Sequence, residues 1–303
     1  MNSPAILLLG ADGQLGWELR RALLPLGQVL ACGRKQADLA KLEALSELLE
    51  RTRPQVIVNA AAYTAVDRAQ SEPEMAHRVN AEAPELLARW AATHDAWLVH
   101  YSTDYVFDGR HEQPYDEDFS PNPLSVYGQS KLAGEQAIAR SACRHLVFRT
   151  SWVYAARGNN FAHTMLRLAR EREQLRIVAD QIGAPTSAEL IADVTALALH
   201  RVLGNANAAA QASGLYHLTA AGSTSWHGYA QYLLEQAAAS GVALRCREVL
   251  PIGSAEYPLP APRPANSRLD CSRLCQRLGV TLPDWRVQVA RFVSETVRDS
   301  LES

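Results

Sequence analysis

Tyr127 and Lys131 stand four residues apart in Ser125-Val126-Tyr127-Gly128-Gln129-Ser130-Lys131. On a helix, that spacing puts both side chains on one face. An ammonium beside a phenol favours the phenolate. Lowering a Tyr from its usual pKa of about 10 by two or three units corresponds to roughly 3–4 kcal/mol, which a close, partly desolvated charge can supply. Thr103 ends the apolar run that begins at Trp97, and its hydroxyl can hold a substrate oxygen. Hydroxyl, phenol and ammonium together make a proton-transfer site for a carbonyl. Tyr-x-x-x-Lys also occurs by chance in many helices, so its weight depends on the elements that would position it.

Those elements form a regular series. Ala5 to Leu9 is a continuous apolar run of the kind buried on both faces of a parallel sheet. Val29 to Cys32, Val56 to Val58, Trp97 to Ser102 and His145 to Arg149 read as further strands. Helical patterns separate them: Trp17 to Leu24, about Ala40 to Arg51, Met75 to Ala92, and a helix begun near Tyr127 that runs to Ala139. Strands alternating with helices predict an α/β fold, a doubly wound parallel sheet with a ligand crevice at the carboxyl ends of its strands. After Trp152 the rhythm changes. Phe161 to Arg172, Ser187 to Leu203, Ser225 to Ala239 and Trp285 to Leu301 read as helices, with short strands at Leu175 to Val178 and Gly214 to Leu218. Pro251 to Pro264 is proline-rich and irregular. The Ala-rich stretch Asn205 to Ala212 reads as a surface loop or helix end. The division expected is a dinucleotide-binding domain of residues 1–151 plus 187–220, and a smaller substrate-binding domain of 152–186 plus 221–303.

Gly10-Ala11-Asp12-Gly13-Gln14-Leu15-Gly16 lies between the first strand and the first helix. Glycines there let backbone N–H groups approach a pyrophosphate and let helix and strand pack closely. The spacing is Gly-x-x-Gly-x-x-Gly, one residue wider at its start than Gly-x-Gly-x-x-Gly. The second strand ends at Gly33-Arg34-Lys35, without the acid that would accept hydrogen bonds from an NAD ribose. A guanidinium there suits the 2′-phosphate of NADP; a solvated basic turn is the alternative.

The chain has 303 residues, a formal net charge of −2 and five scattered cysteines without a Cys-x-x-Cys pair. Such a charge gives no argument for nucleic acid or an acidic membrane surface. The cysteine pattern indicates neither a disulfide framework nor a zinc site, and a reduced, cytoplasmic protein is expected. The N-terminal apolar run is too short for a signal peptide or a membrane span.

Seven segments together resemble the extended short-chain dehydrogenase/reductase superfamily and, within it, the dTDP-4-dehydrorhamnose reductase family: Gly10 to Leu19, Asn59 to Asp67, Tyr101 to Gly109, Tyr127 to Glu135, Arg149 to Tyr154, Asp180 to Thr186 and Ala261 to Ser267. The resemblance implies NADPH-dependent reduction of the 4-keto group of dTDP-4-dehydro-L-rhamnose, with NADH as the alternative cofactor, by a triad of Thr103, Tyr127 and Lys131. It implies cofactor contacts at Gly10, Asp12, Gly13, Gln14, Leu15, Arg34, Asp38, Leu39, Ala60, Ala61, Ala62, Tyr63 and Thr64, besides Tyr127 and Lys131. Thr103, Asp104, Tyr105, Tyr127 and Trp152 would meet the dTDP-sugar, and Asn80 falls near the structural Asn of the superfamily. Glu18, Glu189 and Glu295 stand where family members bind Mg²⁺ at the interface of a homodimer. No membrane or nucleic-acid partner is implied. Two departures are visible: Gln70 replaces a frequent acid, and Lys41 follows Asp38-Leu39 where a second Asp is common. His100 is read as structural, and Arg263 as a phosphate contact or a turn-stabilising residue. Two other readings share these residues: an epimerase or dehydratase that retains NAD⁺, and a non-catalytic regulatory subunit of the same fold.

Overall fold

The computed structural model describes residues 3–205, 209 and 211–301. Residues 206–208 and 210 of the Ala-rich stretch lie outside the described residues. Six parallel strands form the main sheet: β1 (Ala5–Leu9), β2 (Gln28–Cys32), β3 (Val56–Asn59), β4 (Trp97–Thr103), β5 (Arg144–Thr150) and β10 (Gly214–His217), in the order β10-β5-β4-β3-β1-β2. Every residue of β3 and β4 is buried, as their place in the middle of a sheet covered on both faces requires, including the polar Asn59, His100, Ser102 and Thr103. One core lies between the sheet and α1 (Gln14–Ala22) and α8 (Ala188–Gly204). The other lies beneath α2 (Leu42–Thr52) and α5 (Ala83–Thr93). The sheet is therefore doubly wound.

Between α3 (Val66–Ala69), α4 (Pro73–His77) and α5, the chain passes through a π-helical turn at Arg78–Glu82. The helix that carries the Tyr-x-x-x-Lys pair, α6 (Val126–Arg140), begins at the Ser125 cap, whose hydroxyl accepts from the Gly128 N–H.

The second, smaller domain is built on two-residue and five-residue ladders rather than on a sheet of its own. β7 (Gln174–Val178) pairs in parallel with β12 (Glu248–Ile252), β8 (Ile182–Gly183) pairs antiparallel with β11 (Thr224–Ser225), and β6 (Val153–Tyr154) pairs in parallel with β9 (Thr186–Ser187). Around them pack α7 (Phe161–Glu171), α9 (Trp226–Ala239), α10 (Ser272–Leu278) and α11 (Trp285–Leu301). As the sequence predicts, Gly214 to His217 returns to the main sheet, next to β5. No helix among the described residues is long and apolar enough to cross a membrane.

Candidate active site

The glycine turn sits at the carboxyl end of β1. Gly10 has φ +78°, a left-handed conformation that favours glycine, and a Cβ there would lie 2.6 Å from the Ala61 N. A Cβ on Gly16 would lie 2.0 Å from the Gly10 carbonyl oxygen, so its absence lets α1 close onto the turn. Gly13 caps α1 without a side-chain hydrogen bond, which leaves the first N–H groups of the helix open to a ligand. Asp12 reaches across to the end of β2, where it occupies the space a Cβ on Gly33 would need. Leu15 and Leu39 are buried, Leu15 in the core under α1 and α8 and Leu39 in the core under α2 and α5. The Gln14 side chain accepts from Asn160 Nδ2 at 2.9 Å, tying the turn to the smaller domain.

Arg34 is exposed, with its Nε 3.9 Å from Asp38 Oδ1. The basic turn after β2 is therefore not free of acid, contrary to the sequence expectation: Asp38 comes close through the loop, not along the strand. Asp38 Oδ1 also accepts from the Ala40 N–H. The strand end Asn59-Ala60-Ala61-Ala62-Tyr63-Thr64 passes beside Gly10. Asn80, on the π-helical turn, fastens this strand end: its amide exchanges hydrogen bonds with the N–H and carbonyl of Tyr63 at 2.8 and 3.0 Å and donates to Ser130 Oγ on α6. A Cβ on Gly134 would lie 2.2 Å from the Asn80 carbonyl oxygen, so α6 can approach the turn only with glycine there. The Gln70 side chain that replaces the expected acid accepts from the Val126 N–H at 2.7 Å, at the start of α6.

Thr103 and Tyr127 are brought together, close enough for the Thr103 hydroxyl to act on the Tyr127 phenol. Thr103 also donates to Asp104 Oδ1 at 3.1 Å and accepts from the Tyr105 N–H at 3.2 Å. Burial pushes the Tyr127 phenol up to about 12, and the Thr103 hydroxyl is the one influence that lowers it. This corrects the sequence expectation of a phenol lowered by Lys131. The Lys131 ammonium is directed elsewhere: its Nζ donates to the Tyr101 carbonyl at 2.7 Å and lies 3.2 Å from His100 Nε2. Burial pulls Lys131 down to about 8, against the opposing charge of Glu135. Burial also raises the Asp104 carboxyl to about 6, with Ser267 and Thr103 hydrogen bonds acting in the other direction.

On the far side of Tyr127, the Tyr105 ring meets it edge-on at 5.7 Å. The Arg263 guanidinium lies 5.7 Å from the centre of the Tyr105 ring and donates to Asp67 Oδ2 at 2.9 Å. Of the two sequence readings of Arg263, its partners favour the structural one, since it spans from the proline-rich segment to Asp67 on α3. Trp152 has φ +48° and stacks on Trp226 at 3.6 Å. A Cβ on Gly183 would lie 2.6 Å from the Trp152 ring. Trp226, Ser267 and Asp67 escape sequence reasoning. Ser267 and Asp67 lie inside segments that carry the family resemblance, but Trp226 lies in none.

Glu18, Glu189 and Glu295 are close enough for their charges to raise the carboxyls of Glu18 and Glu189, after burial, which is the larger cause in both. Within one chain they do not make a metal site. Arg291 lies 3.5 Å from Glu189 and 2.9 Å from Glu295, so a guanidinium already occupies the place of a cation. Among the described residues no three His, Cys, Asp or Glu side chains are arranged to hold a metal ion.

The family model described as the RmlD substrate binding domain matches residues 4–298. The dTDP-4-dehydrorhamnose reductase of Escherichia coli (strain K12) is 48% identical over 298 residues, covering 96% of this chain and 97% of that one. The chain belongs to the dTDP-4-dehydrorhamnose reductase family. The family protein of Burkholderia thailandensis is 50% identical over 292 residues, covering 96% of this chain and 98% of its own. A crystal structure of the dTDP-4-dehydrorhamnose reductase of Bacillus anthracis in complex with NADP superposes with a TM-score of 0.87 at 33% identity, over 98% of this chain and all of that one. The family match runs through both domains, and so includes the segments that carry Trp152, Arg263 and Ser267.

Proposed function

We propose that this chain reduces the 4-keto group of dTDP-4-dehydro-L-rhamnose to give dTDP-L-rhamnose, using NADPH in preference to NADH. The observation that carries the reading is the contact of Thr103 with Tyr127 one helical turn from a buried Lys131, in a chain of this family. The glycine turn fits a dinucleotide: Gly10 and Gly16 remove the Cβ atoms that would separate strand, helix and loop. Gly10, Asp12, Gly13, Gln14, Leu15, Leu39 and the Ala60–Thr64 strand end would hold it, with Arg34 and Asp38 at the adenosine end. When bound, the reduced nicotinamide supplies the hydride.

The residues of the chain supply the rest. Tyr127 donates its proton to the carbonyl oxygen as charge develops there. Thr103 holds that oxygen, and its hydroxyl then turns toward the phenolate left behind. A phenol kept protonated by burial suits an acid. Lys131, fixed by the Tyr101 carbonyl, keeps a positive charge behind the site and an ammonium hydrogen for a cofactor ribose. Asp104, Tyr105 and Trp152 would meet the sugar nucleotide. Residues 1–151 plus 187–220 would serve as the cofactor-binding unit and 152–186 plus 221–303 as the substrate-binding unit. The glutamate face of Glu18, Glu189 and Glu295 is proposed as a homodimer contact, where Mg²⁺ would have to compete with Arg291. A cytoplasmic location follows from a substrate and cofactor of this type.

The test is NADPH oxidation with dTDP-4-dehydro-L-rhamnose. Stoichiometric cofactor consumption is expected. Interconversion of sugar nucleotides with retained NAD⁺ and no net oxidation would indicate an epimerase, and no turnover of any sugar nucleotide would indicate a binding subunit.

A further inference from the structure

His100 lies in the middle of β4 with 1% of its surface exposed, and both of its ring nitrogens meet polar side chains. Nε2 is 3.2 Å from Lys131 Nζ, and Nδ1 is 3.1 Å from Asn59 Nδ2. Asn59 in turn accepts from the Ala61 N–H at 3.2 Å, in the strand end that lines the glycine turn. A line of contacts therefore runs from the catalytic helix through the central strand to the proposed cofactor wall. Nothing in the reduction as described uses it. A structural histidine between two strands needs only satisfied nitrogens; this one is placed against the one buried ammonium of the site.

We propose that His100 is a positioning residue for the reduction: its Nε2, with the Tyr101 carbonyl, fixes Lys131 at the crevice, and its Nδ1 passes the protonation state of Lys131 to Asn59. The proposal rests on the reading of Lys131 as the ammonium behind the site. A neutral imidazole has one donor and one acceptor. When Lys131 is an ammonium, Nε2 must accept, Nδ1 carries the proton, and the Asn59 amide must turn its oxygen to the ring. When Lys131 is an amine, Nε2–H donates to it, Nδ1 accepts from the Asn59 amide, and the Asn59 oxygen is free for the Ala61 N–H. Lysine charge and the hold on the Ala60–Ala61 wall are thereby linked. Burial, and then the Lys131 charge, keep His100 itself neutral. The other groups facing this line are few. Glu135 lies one turn beyond Lys131 on α6 but is bound by both Arg149 Nε and Arg149 Nη2, at 2.9 and 2.6 Å. Tyr127 stands on the same helix one turn before, and Asn80 and Ser130 bond each other beside it.

Three substitutions separate the parts. In His100→Gln the amide reaches the Nε2 position and can accept from Lys131. In His100→Asn it reaches only the Nδ1 position. In His100→Phe neither is present. The pH profile of single-turnover NADPH oxidation is one readout. The second is urea stability against pH, which reports the ionisation of Lys131 without catalysis. Because the ring also donates to the amine, only the difference between the two bonds counts, and its loss should move the Lys131 titration down by about one pH unit. The Asn and Phe variants should therefore lose rate at a correspondingly lower pH, and their stability should begin to rise with pH correspondingly earlier. The Gln variant should match the wild type in both. Should the Phe variant fail to fold, the Asn and Gln pair carries the same comparison. Profiles unchanged in the Asn variant, or shifted equally in Asn and Gln, would overturn the proposal. A shifted stability profile without any reductase activity would uphold the contact and instead remove the proposed function.

Discussion

At the scale of single residues, the proton donor is the test of the chemistry. Tyr127→Phe keeps the ring and its edge-on contact with Tyr105, so folding should change little. Turnover should fall by about 10²–10⁴, the usual contribution of a positioned acid, while NADPH affinity stays near that of the wild type. Single-turnover rates and separate binding titrations would show it; a rate within about threefold of wild type would not match a general acid. Lys131 gives a pH signature of the opposite kind for rate and for stability. Its titration in the folded chain lies near 8, below its ordinary value of 10.5. Between those limits the unfolded chain binds the extra proton, so stability should rise with pH from about 8 to about 10. Above that, Tyr127, raised to about 12, reverses the trend, because the unfolded phenol ionises first. The rate should instead fall as pH passes about 8, since the amine no longer carries the charge. Parallel rise or parallel fall of the two curves would contradict this assignment of Lys131.

At the scale of elements, the strands, the glycine turn and α6 were legible in the sequence because each has a local signature: unbroken apolar runs, glycines at a strand end, and an i,i+4 pair. The predicted Trp285 to Leu301 helix and the return of Gly214 to the main sheet match the structure. The electrostatics of the pair were not legible. Sequence spacing brings Tyr127 and Lys131 to one face of α6, but the direction of the Lys131 side chain is set by a carbonyl and an imidazole on β4, whose register no local pattern reports. The same holds for Arg34, whose acid partner arrives through a loop, and for Trp226, which meets Trp152 only because α9 packs behind β6. The glycine turn offers a direct test of element packing. Gly16→Ala places a methyl within 2.0 Å of the Gly10 carbonyl, so α1 must move off the turn. Stability should drop by about 1–3 kcal/mol, as for other overpacked sites, and NADPH binding should weaken as well. Urea denaturation and a cofactor titration would measure both; full affinity in a destabilised variant would separate the turn from the cofactor site.

At the scale of the whole molecule, the two domains are joined by side chains as well as by the chain. Gln14 with Asn160, and Asp67 with Arg263, tie the cofactor turn and α3 to segments of the smaller domain. The glutamate face on α1, α8 and α11 looks outward from this assembly, and it is where the dimer proposal is decided. Sedimentation with and without EDTA, with Glu295→Gln as the paired variant, is the measurement. If a cation bridges two copies there, chelation should shift the population toward folded monomer, and the variant should do the same without EDTA. A species unchanged by both would leave these carboxylates facing only the Arg21 and Arg291 guanidinium groups of their own chain.

The position of β10 has a consequence for how the protein is made. β5 ends at Thr150, but the strand that covers its outer edge, Gly214–His217, is encoded after roughly 70 further residues. At about 5–20 residues per second, a nascent chain exposes that open edge for about 4–14 s, with five strands already outside the ribosome. An uncovered, apolar parallel strand is a template for pairing with other chains. The smaller domain begins within that interval, so α7 and the first half of its ladders emerge before the sheet they lean on is complete. The β5 edge thus stays open while β6 to β9, α7 and α8 are made, and it is covered only when β10 follows.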